Sequence, residues 1–133
     1  MLLEQELEEL WGAGLTADDV IVLSLREAEE SAATLVRSQL WSDRLEALDD
    51  SNIVEAQGGK LRYSSVRRFK GLEAPIVVLT DVEKLDEKSR ALLYVGMTRA
   101  IHRLVVLANE SVASEIRRAV RVSGGRRGQA ARS

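Results

Sequence analysis

Three residues of this sequence have the types and positions that phosphate chemistry requires. Gly71 and Glu73 lie just before the apolar run Ile76-Val77-Val78-Leu79, and Arg99 lies shortly before the run Leu104-Val105-Val106-Leu107. A glycine lets a phosphate approach the backbone, and a guanidinium offers a rigid fork of donors. Since α/β proteins place nucleotide chemistry at the ends of strands and helices, this pattern favours an anionic ligand.

The elements that must position these residues are visible as hydrophobic patterns. Short β-branched runs without polar alternation are typical of strands buried on both faces. Strands are predicted at residues 20–25, 53–56, 61–65, 76–80 and 102–108. Helices are predicted at residues 2–11, 28–40, 86–100 and 112–122, the third capped by Asp86. This alternation predicts a three-layer α/β domain with a mostly parallel sheet.

The chain length and the charge distribution limit the possible domain organisation. At 133 residues the chain is predicted to be one domain, residues 1–122, with a disordered basic tail at 123–133. The net charge is only −2, but residues 1–55 hold 14 acidic and 3 basic residues, and residues 56–133 hold 7 acidic and 16 basic. The second half is therefore expected to face phosphates, although a solvated acidic helix and a basic tail would give the same balance.

Several classes of site are missing from the sequence. There is no cysteine, which fits a cytoplasmic protein, and one histidine, His102, cannot make a metal site alone. No apolar run approaches the roughly 20 residues of a membrane span. No segment has the G-x-x-x-x-G-K-[ST] pattern, and no acidic pair follows a strand to hold Mg²⁺. Alone, the chain is not expected to hydrolyse ATP.

Two longer stretches carry a family resemblance. Ser65-Val66-Arg67-Arg68-Phe69-Lys70-Gly71-Leu72-Glu73 and Leu92-Leu93-Tyr94-Val95-Gly96-Met97-Thr98-Arg99-Ala100 resemble, in the right order, the fifth and sixth motifs of superfamily 1 helicases of the UvrD/Rep type. Each is followed by the expected strand, and the resemblance covers about residues 20–108. It implies a RecA-like fold and the C-terminal motor domain (domain 2A) of a DNA helicase.

The resemblance implies a role for each residue of the first group. Arg99 would reach the γ-phosphate of ATP, Glu73 would accept a hydrogen bond from the ribose, and Gly71 would let backbone approach the phosphates. ATP and its Mg²⁺ would be held mainly by a partner P-loop RecA-like domain absent from this chain. The alternatives are an internal salt bridge from Arg99 to Glu73 or Asp81, an ordinary turn glycine, and a surface carboxylate.

A second group is implied to contact single-stranded DNA. Ser65, Arg67, Arg68 and Lys70 combine a hydroxyl with cationic groups, which suits sequence-independent phosphate contact. Ser65 stands where the family has Thr, and Arg67 stands where it has His. A solvated basic turn is the alternative.

The sequence also gives expectations for individual residues outside these two groups. Leu23-Ser24-Leu25-Arg26 falls where the family's fourth motif lies, so Arg26 is a candidate second arginine for the γ-phosphate, one position out of register. No aromatic residue at 24 or 25 could stack on adenine. Tyr94 is expected in the core, and Thr98 is expected to form a cap or a local hydrogen bond.

These observations leave two functional hypotheses. The first is the second motor domain of a helicase or translocase, which shares an ATP site with a P-loop domain. The second is a degenerate, non-catalytic domain that binds nucleic acid or a protein and keeps the motif residues for packing and internal ion pairs.

Overall fold

A computed structural model describes residues 2–27, 31–35, 39–69, 71–123 and 129–132. The strands are β1 Val20–Ser24, β2 Leu45–Ala47, β3 Leu61–Ser65, β4 Ala74–Val82, β5 Ala100–Ala108 and β6 Gln129–Arg132. The helices are α1 Leu2–Gly12, α2 Gln39–Arg44, α3 Glu87–Met97 and α4 Glu110–Ser123, with a 3₁₀ turn at Ala32–Leu35.

The six strands form a single sheet in the order β2-β3-β1-β4-β5-β6, and every pairing is parallel. All five residues of β1 are buried, as is most of β4, which explains why their sequences lack polar alternation. The predicted three-layer α/β fold with a mostly parallel sheet is confirmed.

The direction of each connection across the sheet determines the layers. The connections β3 to β4, β4 to β5 and β5 to β6 run the same way, so right-handed crossovers place them on one face. Phe69, Leu93 and Ile116, one from each connection, accordingly share a single hydrophobic core. The connection from β1 to β2 runs the opposite way, and its Trp41 packs on the other face with Leu7 of α1.

The segment between β1 and β3 differs from the sequence prediction. In place of one helix at 28–40, the described residues there form the 3₁₀ turn and the start of α2. Residues 53–55 form bends, and the edge strand is β2, whose Leu45 and Ala47 pair with Leu61 and Tyr63. The reason is tertiary, since β2 lies along β3 whereas Val54 is 93% exposed and faces no core.

The carboxyl-terminal segment also departs from the expected disordered tail at 123–133. Helix α4 extends to Ser123, and Gln129–Arg132 lies parallel to β5 as an edge strand. Backbone hydrogen bonds can hold an edge strand that has few apolar side chains. Residues 124–128 and 133 lie outside the described residues.

Candidate functional site

Glu73 and Arg99 lie side by side at the amino edge of the sheet, where β4 and β5 begin. The parallel register pairs Ala74 with Ala100, and the amide of Ala74 donates to the carbonyl of Arg99 at 3.0 Å. Glu73 and Arg99 therefore immediately precede the two members of a residue pair, one on β4 and the other on β5. The structure thus places at neighbouring backbone positions the two residues that the resemblance assigns to a nucleotide.

The guanidinium of Arg99 is held by neutral acceptors. Its Nε donates to the carbonyl of Val95 at 3.3 Å, Nη1 to the carbonyl of Leu72 at 3.4 Å, and Nη2 to Oγ1 of Thr98 at 3.0 Å. No carboxylate in the described part of the chain forms a salt bridge with it. The internal ion pair considered from the sequence is therefore not formed, and a partly buried positive charge remains for an external anion.

Thr98 supports this arrangement from the end of α3. It is the C-cap residue of the helix, and its hydroxyl donates to the carbonyl of Val95 at 2.8 Å while accepting from Arg99. The expected capping and hydrogen-bonding role of Thr98 is confirmed. The last turn of α3 therefore orients the guanidinium through the hydroxyl and carbonyl of two of its own residues.

Gly71 lies on the short connection from β3 to β4, residues 66–73, which we call the crossover strap. Its φ of 84° is in the left-handed region that favours glycine, and a Cβ added to it would have no atom within 4 Å. Gly71 and Glu73 are both exposed. The turn needs glycine for its conformation, and the open space beside it would admit a phosphate.

The crossover strap begins at the opposite, carboxyl edge of the sheet, directly after Ser65, the last residue of β3. The hydroxyl of Ser65 accepts from the amide of Arg68 at 3.1 Å, and its carbonyl accepts from the amide of Phe69 at 3.2 Å. This capped turn leaves Arg67 and Arg68 exposed while Val66 and Phe69 enter the core. Three of the four expected DNA contacts are thus brought together, and the fourth, Lys70, lies outside the described residues.

Arg26 does not join the residues of the amino edge. It follows β1 at the carboxyl edge and forms an ion pair with Glu83, which follows β4. The nine residues of β4 separate the two edges by roughly 25 Å, at about 3.3 Å per residue. The structure therefore does not bring Arg26 together with Gly71 and Glu73, because a parallel sheet sends strand starts and strand ends to opposite edges.

A close contact, which the sequence analysis missed, joins α3 to the crossover strap. A Cβ on Gly96 would lie 2.6 Å from Cδ2 of Leu79 and 3.3 Å from Cγ2 of Val66. The missing side chain lets α3 pack directly on β4 and the strap, and it fixes where Arg99 emerges. The glycine within a predicted helix was the available signal, because such a residue costs stability unless packing requires it.

Asp81 was considered only as a partner of Arg99, and the structure gives it a different place. Its φ of 64° is left-handed, and its carboxylate accepts from the hydroxyl of Ser24 and from the amide of Ala32 at 3.1 Å. Ser24 Oγ in turn accepts from the amide of Arg26 at 2.9 Å. Asp81 thereby holds the segment that follows β1 in place, and nothing in the sequence pattern indicates this conformation.

The position of Tyr94 corrects the sequence prediction, which placed this residue in the core. Its exposed fraction is 70%, because α3 packs on the sheet through Leu93 and Gly96, and Tyr94 falls on the solvent face of the helix. Ile101, close to Arg99, is 50% exposed. Two exposed apolar side chains therefore lie close in sequence to Arg99.

Asp86 fixes the start of α3, as predicted. Its carboxylate accepts from the amide of Ser89 at 2.8 Å, and this hydrogen bond, with those from Lys84 and the Ser89 side chain, lowers the pKa of Asp86 to about 2. The cap is therefore ionised near neutral pH and complements the positive end of the helix dipole.

Neither a membrane helix nor a metal cluster is found in residues 2–27, 31–35, 39–69, 71–123 and 129–132. None of the helices there has the length and apolar content to cross a bilayer. No three His, Asp or Glu residues of this part of the chain are grouped to hold a metal ion.

Comparison with known proteins gives one family. The UvrD-like helicase C-terminal domain family matches residues 60–107, which run from just before β3 almost to the end of β5 and contain both motif stretches. The resemblance inferred from the sequence is confirmed over this segment. No curated protein matched the chain.

Proposed function

We propose that this chain, whose residues 60–107 belong to the UvrD-like helicase C-terminal domain family, is the second motor domain of an ATP-dependent DNA helicase or translocase. The amino edge of its sheet contributes to an ATP site shared with a P-loop RecA-like domain. The carboxyl edge binds single-stranded DNA. The observation that carries the proposal is the guanidinium of Arg99, beside Glu73, which has no carboxylate partner among the residues that the structure describes.

The residues of the amino edge fit a bound nucleotide. Arg99 presents a partly buried fork of donors, which stabilises the charge that develops on the equatorial oxygens of a transferred phosphoryl group. Glu73 accepts a hydrogen bond from the ribose, and the backbone at Gly71 approaches the phosphates. The P-loop domain holds most of the ATP and its Mg²⁺, which shields the phosphate charge.

The carboxyl edge supplies the DNA contacts. Arg67 and Arg68 project into solvent from a turn capped by Ser65, and neighbouring Lys70 is included on the sequence motif alone. Phosphate contacts of this kind are independent of base sequence and sensitive to salt. Since the crossover strap joins this turn to Gly71 and Glu73, closure of the cleft on ATP is transmitted to the DNA surface.

The chain is proposed to be inactive as an ATPase on its own. Its sequence has no phosphate-binding loop and no carboxylate pair placed for Mg²⁺. Its affinity for ATP in isolation should be weaker than micromolar, since one arginine and one carboxylate cannot replace the phosphate-binding loop.

The test is reconstitution of ATP hydrolysis. The full chain is mixed with a P-loop domain of a UvrD-like helicase and a single-stranded oligonucleotide, and phosphate release is measured. Activity should appear only in the mixture and fall about a thousandfold in Arg99→Ala. Arg99→Lys should recover little of it, because an ammonium cannot reproduce the planar fork.

Arg90→Ala is the matched control, since Arg90 is an exposed arginine in the first turns of α3. It should leave the rate unchanged. A mixture that binds DNA yet hydrolyses no ATP, or one whose activity survives Arg99→Ala, would support the degenerate binding domain instead.

A further inference from the structure

The carboxyl edge carries a row of charges beyond the DNA contacts considered so far. Ser24 of β1 is in register with Ser65 of β3 on one side and with Thr80 of β4 on the other. Arg67 lies two residues after Ser65, and Arg26 lies two residues after Ser24. Two arginines therefore follow neighbouring strands at the same level, with strands about 5 Å apart.

Each of these arginines is paired with a glutamate on the same edge. Nη1 of Arg67 lies 3.2 Å from Oε1 of Glu27, and Nη2 of Arg26 contacts Oε1 of Glu83. The four side chains are between 41% and 59% exposed, so both pairs are open to solvent. Water and salt weaken such pairs, and a competing anion can displace the carboxylates.

The backbone beneath Arg26 is firmly anchored. Asp81, in its left-handed conformation, accepts from Ser24, and the hydroxyl of Ser24 accepts from the amide of Arg26. A strained, hydrogen-bonded residue at the end of a strand is maintained only when the surrounding structure over-determines it. The network holds the start of the loop while the Arg26 side chain remains free to exchange partners.

We propose that Arg26 belongs to the single-stranded DNA surface and that Glu27 and Glu83 occupy the phosphate positions of Arg67 and Arg26 until DNA displaces them. The proposal rests on the function proposed above and assigns Arg26 and both glutamates to its DNA edge. A phosphodiester offers the same paired oxygens as a carboxylate, so each guanidinium can exchange one partner for the other. Binding is then an exchange of partners. The glutamates lower the affinity for DNA but keep the two guanidiniums ordered before DNA binds.

The exchange predicts a distinctive salt dependence. In the present chain each arginine must give up a carboxylate, so its contact with DNA adds little net charge neutralisation. Glu27→Gln and Glu83→Gln should each tighten binding about two- to fivefold at low salt. Each should also steepen the slope of log Kd against log salt concentration by about 0.7, the value for one additional phosphate contact on a single strand.

The experiment uses the full chain and a fluorescein-labelled oligothymidylate of about 16 nucleotides, with anisotropy measured at several salt concentrations. Glu55→Gln is the matched control, because Glu55 is exposed on the loop that reaches the amino edge, where the amide of Ala56 donates to Asp18. It makes the same change in net charge and should leave the slope unchanged.

Two further variants separate exchange from a general charge effect. Arg26→Ala should weaken binding about threefold, because Glu83 is left without its cation, and in a Glu83→Gln background it should also make the slope shallower by about 0.7. In an Arg67→Ala background, Glu27→Gln should tighten binding no more than Glu55→Gln does, because no guanidinium remains to be released.

The outcomes distinguish this proposal from the proposed function. The exchange is overturned if Glu27→Gln and Glu83→Gln behave as Glu55→Gln does, or if Arg26→Ala binds normally, while Arg68→Ala still weakens binding. Both proposals fail together only if neither the unaltered chain nor any variant binds the oligonucleotide.

Discussion

Among single residues, Arg99 shows how uncharged neighbours can orient a charged side chain before a ligand binds. Two carbonyls and one hydroxyl fix the plane of its guanidinium without neutralising it. Hydrogen bonds of this kind reduce the side-chain entropy that an anion would otherwise have to remove on binding. An internal carboxylate would have given the same order but would compete with a phosphate, as Glu27 and Glu83 are proposed to do at the other edge.

At the same scale, Asp86 gives a pH prediction. Hydrogen bonds lower its folded-state pKa to about 2 from the ordinary 3.8, so the ionised form stabilises the fold above pH 4. That contribution is lost as the pH falls from about 4 through 2. The difference in urea midpoint between the chain and Asp86→Asn should therefore be larger at pH 6 than at pH 2.

Tryptophan fluorescence can follow the unfolding, since Trp41 is buried in the core and packs edge-on against Trp11 at 5.6 Å between ring centroids. Asp19 and Asp49 also have lowered pKa values, caused chiefly by the hydrogen bonds that their carboxylates accept from Thr16 and Ser51 respectively. Both are present in the two proteins compared, so their effects cancel. A midpoint difference that is the same at both pH values would contradict the prediction.

Among the elements, α3 and the crossover strap form the unit that positions both motifs. Their contact depends on Gly96, because a Cβ there would press against Cδ2 of Leu79, whose side chain is fully buried. Gly96→Ala should gain up to about 1 kcal/mol of helix propensity but lose about 1–3 kcal/mol to overpacking. A net loss in the free energy of unfolding is therefore expected.

Gly12→Ala is the control, since Gly12 ends α1 and a Cβ added to it would have no atom within 4 Å. It should leave the unfolding free energy, measured by urea denaturation, unchanged or slightly higher. If Gly96→Ala proved as stable as Gly12→Ala, the close packing of α3 would not be a constraint.

At the scale of the whole molecule, the parallel sheet separates the two proposed sites. Residues that precede β4 and β5 face one edge, and residues that follow β1 and β3 face the other. In the mixture with a P-loop domain, Arg99→Ala should abolish ATP hydrolysis and leave DNA affinity unchanged. Arg68→Ala should weaken DNA binding by about one phosphate contact and leave hydrolysis at saturating DNA unchanged.

Phosphate release and anisotropy, measured on the same samples, test this separation. If either substitution altered both properties to the same extent, the two edges would not act as separate sites. If one substitution also had a smaller effect on the property assigned to the other edge, that effect would be transmitted by the crossover strap. Gly96→Ala should then reproduce it.

Much of this organisation could be predicted from local patterns. Apolar runs located four of the six described strands, Asp86 marked the start of α3, and the two motif stretches indicated the family that residues 60–107 match. The strand at 53–56 was wrong because β propensity without a neighbouring strand or a core does not form a strand. Tyr94 was misplaced because spacing alone did not show which face of α3 meets the sheet.

The sequence by itself determined the fold class and the residues that could bind phosphate, because strand periodicity and motif spacing are local properties of the chain. The sequence also shows that Arg26 follows a strand, whereas Glu73 and Arg99 each precede one. Only the tertiary structure decided that β1 lies between β3 and β4. That placement pairs Arg26 with Glu83 and gives Asp81 its role, since contacts between distant segments follow from packing and crossover handedness.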